Sequence, residues 1–162
     1  MQYTFSLAKE ADAPAVYALL RSLISTGGCT WSDAYPTYDV VLEDVRQQSQ
    51  YLLKDSRNAL VAAAFAGTGH ELLDLPWNLQ RPCELARVAV SHSHQNQGVG
   101  SCLLQQIIPA VQARGFDGIC MLVSHTHPHA LRLYEKNGFT RCGEVYRYDL
   151  HFFMYSMSFR DA

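Results

Sequence analysis

At 162 residues the chain can bury about two thirds of its unfolded surface around one core, so a single domain needs no staples to fold. Charged residues make up 17% and the formal net charge is -2, which excludes the global basic field that gathers nucleic acid or anionic membrane and leaves a small molecule or a protein as partner. The five cysteines form no C-x-x-C pair and read as reduced core thiols; with no basic leader and no run near the ~18 apolar residues of a membrane span, the expectation is a cytoplasmic protein.

No repeat or low-complexity tract interrupts the chain, which mixes two periodicities. "QYTFSLA" alternates, with Tyr3, Phe5 and Leu7 on one side of a strand. A helix follows: Asp12 is a suitable N-cap, Val16, Leu19, Leu20, Leu23 and Ile24 make its stripe, and Gly27-Gly28 stops it. Thr37 caps a second helix reaching about Gln48, with Val41 and Val45 inward. "QYLLKDSRNALVAAAF" reads as a hairpin turning at Asp55 to Asn58, and "GTGHELLDLPWNLQRP" as an irregular, exposed loop before the strand "ELARVAV". A long helix carries Val99, Leu103, Leu104, Ile107, Ile108 and Val111 on one stripe and ends at Gly115, with a kink expected at Pro109. The continuous apolar run "GICMLVS" is a strand buried on both faces. Pro128 starts a helix that Asn137-Gly138 ends, and strands around Thr140 to Tyr146 and Asp149 to Phe159 close the order β-α-α-β-β-β-α-β-α-β-β.

The stretch "HSHQNQGVGSCLL" joins a strand to the long helix. Glycines at a helix N-terminus let the backbone come close to an anion and present unpaired NH groups to it. A dinucleotide fingerprint fits poorly, because Leu103 stands where a third glycine belongs and seven residues separate Val90 from Gly98. A P-loop fits no better, since Ser101-Cys102 stands where Lys and Ser or Thr should follow. A turn that only caps the helix stays open.

"LARVAVSHSHQNQGVGSCLL", followed some 30 residues later by "ALRLYEKNGF", resembles the GNAT superfamily of N-acetyltransferases. Members carry a Q/R-x-x-G-x-G/A loop between a strand and a long helix, and the order of elements agrees over essentially the whole chain. The resemblance implies an α/β (α+β) fold: a mixed, mostly antiparallel sheet of about seven strands, flanked by about four helices and splayed between the fourth and fifth strands. Acetyl-CoA enters that split, so that residues 1–80 serve mainly the acceptor and 81–162 mainly the cofactor. The pyrophosphate falls to the backbone of Gln95, Asn96, Gln97, Gly98, Val99, Gly100 and Ser101. The pantetheine pairs with the strand Val88, Ala89 and Val90 as an added strand would, a contact that needs backbone rather than side chains. His127 stands where members usually place an asparagine that touches the cofactor.

Acetyl transfer needs a neutral amine, and a primary amine with a pKa of about 10.4 is mostly protonated at pH 7, so something must take a proton. The resemblance puts Glu84 in that place as base; the plainer reading is an exposed carboxylate at a strand start. Tyr134 in "LYEKNGF" matches the tyrosine that donates a proton or hydrogen bond to the leaving sulfur, against the alternative of a core tyrosine. The NH of Val90 could polarise the thioester carbonyl. The resulting expectation is an acetyl-CoA-dependent N-acetyltransferase working by direct transfer in a ternary complex. A non-catalytic acetyl-CoA-binding sensor is the alternative, and a covalent route would fall to Cys83.

His92, His94, His125, His127 and His129 are five of the seven histidines, but no Cys or Asp pair completes a zinc set, so they read as solvated loop residues and no metal is expected. The acceptor, a small-molecule amine or a protein N-terminus or lysine, would meet "STGGCTWSDAYPTYD" and "YRYDLHFFMYSMSF". There Trp31, Tyr35, Tyr38, Tyr146 and Tyr148 could line a pocket and Asp33, Asp39 or Asp149 could attract a cation, though each equally suits packing, turns or caps. The apolar strand Phe152 to Phe159 reads as a sheet edge open to a second subunit, hence a possible homodimer.

Overall fold

In the computed structural model, which describes residues 2–26 and 29–160, the two periodicities separate into a sheet and the helices that cover it. The elements are β1 (Thr4–Leu7), a 3-10 turn (Glu10–Asp12), α1 (Ala13–Ser22), α2 (Tyr38–Arg46), β2 (Gln50–Lys54), β3 (Leu60–Gly67), β4 (Pro82–Val90), a second 3-10 turn (His92–His94), α3 (Val99–Ala113), β5 (Gly118–Ser124), α4 (Pro128–Lys136), β6 (Thr140–Arg147) and β7 (Leu150–Ser158). The strands form one seven-stranded sheet, as the resemblance implies, and their order is β1-β2-β3-β4-β5-β7-β6. Every neighbouring pair is antiparallel except β4 and β5.

Local chemistry explains most of these boundaries. Thr37 Oγ1 accepts the Val40 NH at 3.2 Å and caps α2. Asp55 closes the β2–β3 hairpin by accepting the NH groups of Arg57 and Ala59, each at 2.9 Å. Asp12 does precede α1, yet its carboxylate turns away from the helix to the Lys9 NH and the Lys54 ammonium. Gly27-Gly28 lies outside the described residues. α3 runs unbroken through Pro109, because both Pro109 and Gln105, whose carbonyl the proline leaves unpaired, face solvent.

The core has two layers. On one face α3 and α4 pack on the sheet, with Leu103, Leu104, Ile107 and Val111 fully buried against strand residues such as Val61, Ile119 and Met121. On the other face α1 and α2 bury Val16, Leu20, Val41 and Val45 over Leu52, Ala63 and Ala89. At about 2 kcal/mol for each buried large aliphatic side chain, these stripes hold the helices far more firmly than helix propensity does. β5 is buried on both faces, as its continuous apolar run requires.

Two expectations are overturned. β7 is no edge: it lies between β5 and β6 and pairs with both along its length, so its apolar character serves the interior of the sheet. The edges are β1 and β6, and the argument for a homodimer through β7 falls with that placement. Nor is the loop before β4 simply exposed, for Leu72 and Trp77 turn inward on Cys120 and Met154, and the Trp77 indole donates to the Leu72 carbonyl at 2.7 Å.

Candidate active site

β4 and β5 pair only from Pro82, Cys83 and Glu84 to Gly118, Ile119 and Cys120, and beyond that they part. The parting opens a cleft of about 1200 Å³ between the two strands. The start of α3 and the inner side of α4 wall one end; Trp31, Tyr35, Glu71 and Tyr148 wall the other.

The backbone of β4 faces two ways. The Ser91 NH donates to the Val61 carbonyl at 2.9 Å, which sets Ser91 and Ala89 toward β3 and turns the NH and carbonyl of Val90 and the carbonyl of Val88 to the cleft. Val88 and Val90 line the cleft, whereas Ala89 is buried under α1 and α2. The Val90 carbonyl takes the Gln95 amide NH at 3.1 Å. Between Ala86 and Ala89 the register shifts, and Arg87 sits at φ +51 in a bulge of β4.

Gly98 caps α3 at φ +80, where a side chain would be strained, and no atom lies within 4 Å of the place a Cβ would occupy. The first NH groups of α3 have no partner inside the helix and lie at its positive end, where Gly98 to Ser101 line the cleft. Gln95, Asn96, Gly98, Val99, Gly100 and Ser101 line the cleft; Gln97 instead donates to the Ser93 carbonyl at 2.9 Å. His127 lines it too, and its Nδ1 accepts the Ala130 NH at 3.3 Å, so it is the N-cap of α4. Burial, and then His129, lowers its pKa, which keeps Nδ1 free to accept.

Glu84 stands at the fork. Only 9% of it is exposed, so it is not the surface carboxylate that its place at a strand start suggested. Burial first, then the neighbouring Glu71 carboxylate, raises its pKa from 4.5 to about 7, with Arg87 opposing. The backbone of Gly69 makes room for it: a Cβ there would lie 1.1 Å from Glu84 Oε2. Tyr134 is the one buried residue of α4, packed edge-on against Phe139 at 5.8 Å and lining the same cleft. Burial pushes its phenol pKa up, so the group stays protonated.

Sequence reading missed Arg87 and its partner. Arg87 Nε and Nη2 donate to the two oxygens of Asp44 at 2.8 and 2.9 Å, and Nη1 donates to the Tyr35 hydroxyl at 2.8 Å. Burial works against the guanidinium charge and Asp44 outweighs it. A lone cation inside the apolar run "ELARVAV" was the available signal, since such a charge must be paired. Glu71 was missed as well; it lies in the loop before β4 and accepts the Tyr148 hydroxyl at 3.2 Å.

Of the other candidates, Trp31, Tyr35 and Tyr148 line the cleft, whereas Tyr38 packs on Tyr17 and Tyr146 stacks on His151. Asp33 pairs with Arg21, Asp39 sits in the first turn of α2, and Asp149 forms the β6–β7 turn at φ +60. Cys83 is fully buried and burial pushes its thiol up to about 12, unsuited to a nucleophile. Among the described residues no group of three or more His, Cys, Asp or Glu side chains could hold a metal ion, and no helix is long and apolar enough to cross a membrane.

Residues 47–141 match the acetyltransferase (GNAT) domain family. The chain belongs to the GNAT family. Across 141 residues, 85% of this chain and 74% of the other, it is 26% identical to a phosphinothricin N-acetyltransferase of Streptomyces viridochromogenes. Its fold superposes with a TM-score of 0.80 on a protein of Salmonella typhimurium assigned as an acetyltransferase and solved with its cofactor acetyl-CoA, at 16% identity and covering 100% of this chain and 96% of that one. An N-acetyltransferase from Staphylococcus aureus superposes at 0.78 with 19% identity, covering 99% and 100%. As a GNAT member the protein is an acetyl-CoA-dependent N-acetyltransferase. Its cleft fits such a cosubstrate in kind, since β4 beyond Glu84 is not paired by β5 and the start of α3 lines the same cleft.

Proposed function

We propose that this GNAT member acetylates a primary amine by direct transfer, with Glu84 as the base and Tyr134 as the proton donor. Glu84 carries the reading: it is a nearly buried carboxylate with a pKa raised to about 7, in the same cleft as the Tyr134 phenol. A base works best when its pKa lies near the working pH, and this one is half ionised there. When bound, acetyl-CoA supplies the activated acetyl group. The backbone of Val88 and Val90 and the NH groups of the Gln95–Ser101 loop position it, with His127 holding the start of α4 beside it. Glu84 accepts a proton from the incoming ammonium and keeps the nitrogen lone pair free. Tyr134, protonated at any physiological pH, donates to the departing sulfur.

The test is the pH dependence of turnover. Wild type is expected to gain activity through a limb centred near pH 7, and Glu84→Gln to lose that limb together with about a hundredfold in rate. A limb that persists in Glu84→Gln assigns the base elsewhere. Tyr134→Phe should lower kcat by about a hundredfold and leave the KM for acetyl-CoA nearly unchanged. An equal loss in binding would make Tyr134 a packing residue.

A further inference from the structure

At the acceptor end of the cleft, among the described residues, two carboxylates have no cationic partner and no cation is left unpaired. Glu84 lies at the floor, 9% exposed, and no hydrogen-bond donor of the described residues engages its carboxylate. Glu71 stands on the rim, fixed by the Tyr148 hydroxyl and by Arg147, which donates to the Glu71 carbonyl and pairs with Asp74 at 2.7 Å. The guanidinium at this end, Arg87, is already bidentate to Asp44. Arg132 and Lys136 also line the cleft, but from α4, whose next residue Asn137 donates to Ser101 at the start of α3, the far end. A carboxylate, phosphinate or phosphate on the acceptor would thus meet like charge with nothing to pair it, whereas ammonium groups find partners.

Resting on the transfer reading above, we infer that the acceptor is a diamine or polyamine without a carboxylate. Its reacting nitrogen goes to Glu84 and a second ammonium is held at Glu71, beside the rings of Tyr35 and Tyr148. Both tyrosines line the cleft, and aromatic rings attract alkylammonium groups. The selectivity lies in the charges: Glu71 attracts the second cation, and Glu84 together with Glu71 repels an anionic substituent.

Three amines separate the contributions. Putrescine is ornithine without its carboxylate and butylamine with a second ammonium. With the full chain and acetyl-CoA, the release of free CoA thiol is expected to show kcat/KM for putrescine and spermidine above ornithine and butylamine by about tenfold, and Glu71→Gln to cut the putrescine-to-butylamine ratio about fivefold, as a partly exposed ion pair would. Ornithine or phosphinothricin outrunning putrescine overturns the inference, as does a ratio unmoved by Glu71→Gln. Calorimetry of putrescine binding keeps it apart from the transfer reading. Putrescine that binds, binds about fivefold more weakly to Glu71→Gln, and is never acetylated sinks transfer and supports the acceptor class. Turnover confined to amines bearing carboxylates does the reverse.

Discussion

Glu84 shows how one side chain takes its chemistry from backbone around it. Its high pKa follows from a dry setting, and the setting exists because Gly69 offers no side chain where the carboxylate lies. Gly69→Ala should therefore swing the carboxylate out of place and lower kcat by about tenfold or more while acetyl-CoA binding, measured by calorimetry, is unchanged. Retained turnover would mean that Glu84 has room to move and still act. The role proposed for Glu84 came only from the family resemblance, because its strand position by itself suggests an exposed acid. What hides it is the loop before β4, whose Leu72 and Trp77 pack inward and carry Gly69 and Glu71 over the fork. Nothing in local periodicity reports that a loop will fold back.

Elements were more legible than the contacts between them. Helices and strands follow from stripes, caps and turns that lie within a few residues of one another, and so all eleven expected elements are found in order. The place of β7 was misread because apolar composition marks a strand as buried without saying which neighbours bury it. The Arg87–Asp44 pair joins a strand and a helix 43 residues apart, a distance no spacing rule spans. At this scale the parting of β4 from β5 makes a further prediction. Acetyl-CoA should slow hydrogen exchange at the Val90 amide, while Ala89, which faces β3, is slow before the ligand is added. Protection of Ala89 alone would reverse the orientation of this strand.

For the molecule as a whole, the site costs stability. The Glu84 pKa is raised in the fold from 4.5 to about 7, so the fold bears no cost from it below pH 4.5, a growing one as pH rises through 7, and the full amount above. That amount is up to about 3 kcal/mol, reduced by the solvent that reaches the cleft. Glu84→Gln should then melt higher than wild type at pH 8, with the gap closing toward pH 4; an equal gap at both would point to packing rather than charge. The order of the sheet has one more consequence, for synthesis. β5 is paired along its full length only by β7, and β7 with its turn also brings Tyr148, Leu150 and Phe152 to the cleft. A nascent chain that has not yet released Leu150–Ser158 from the ribosome holds a central strand with a bare edge and a site lacking one wall, so the half-made sheet is the stage most exposed to aggregation.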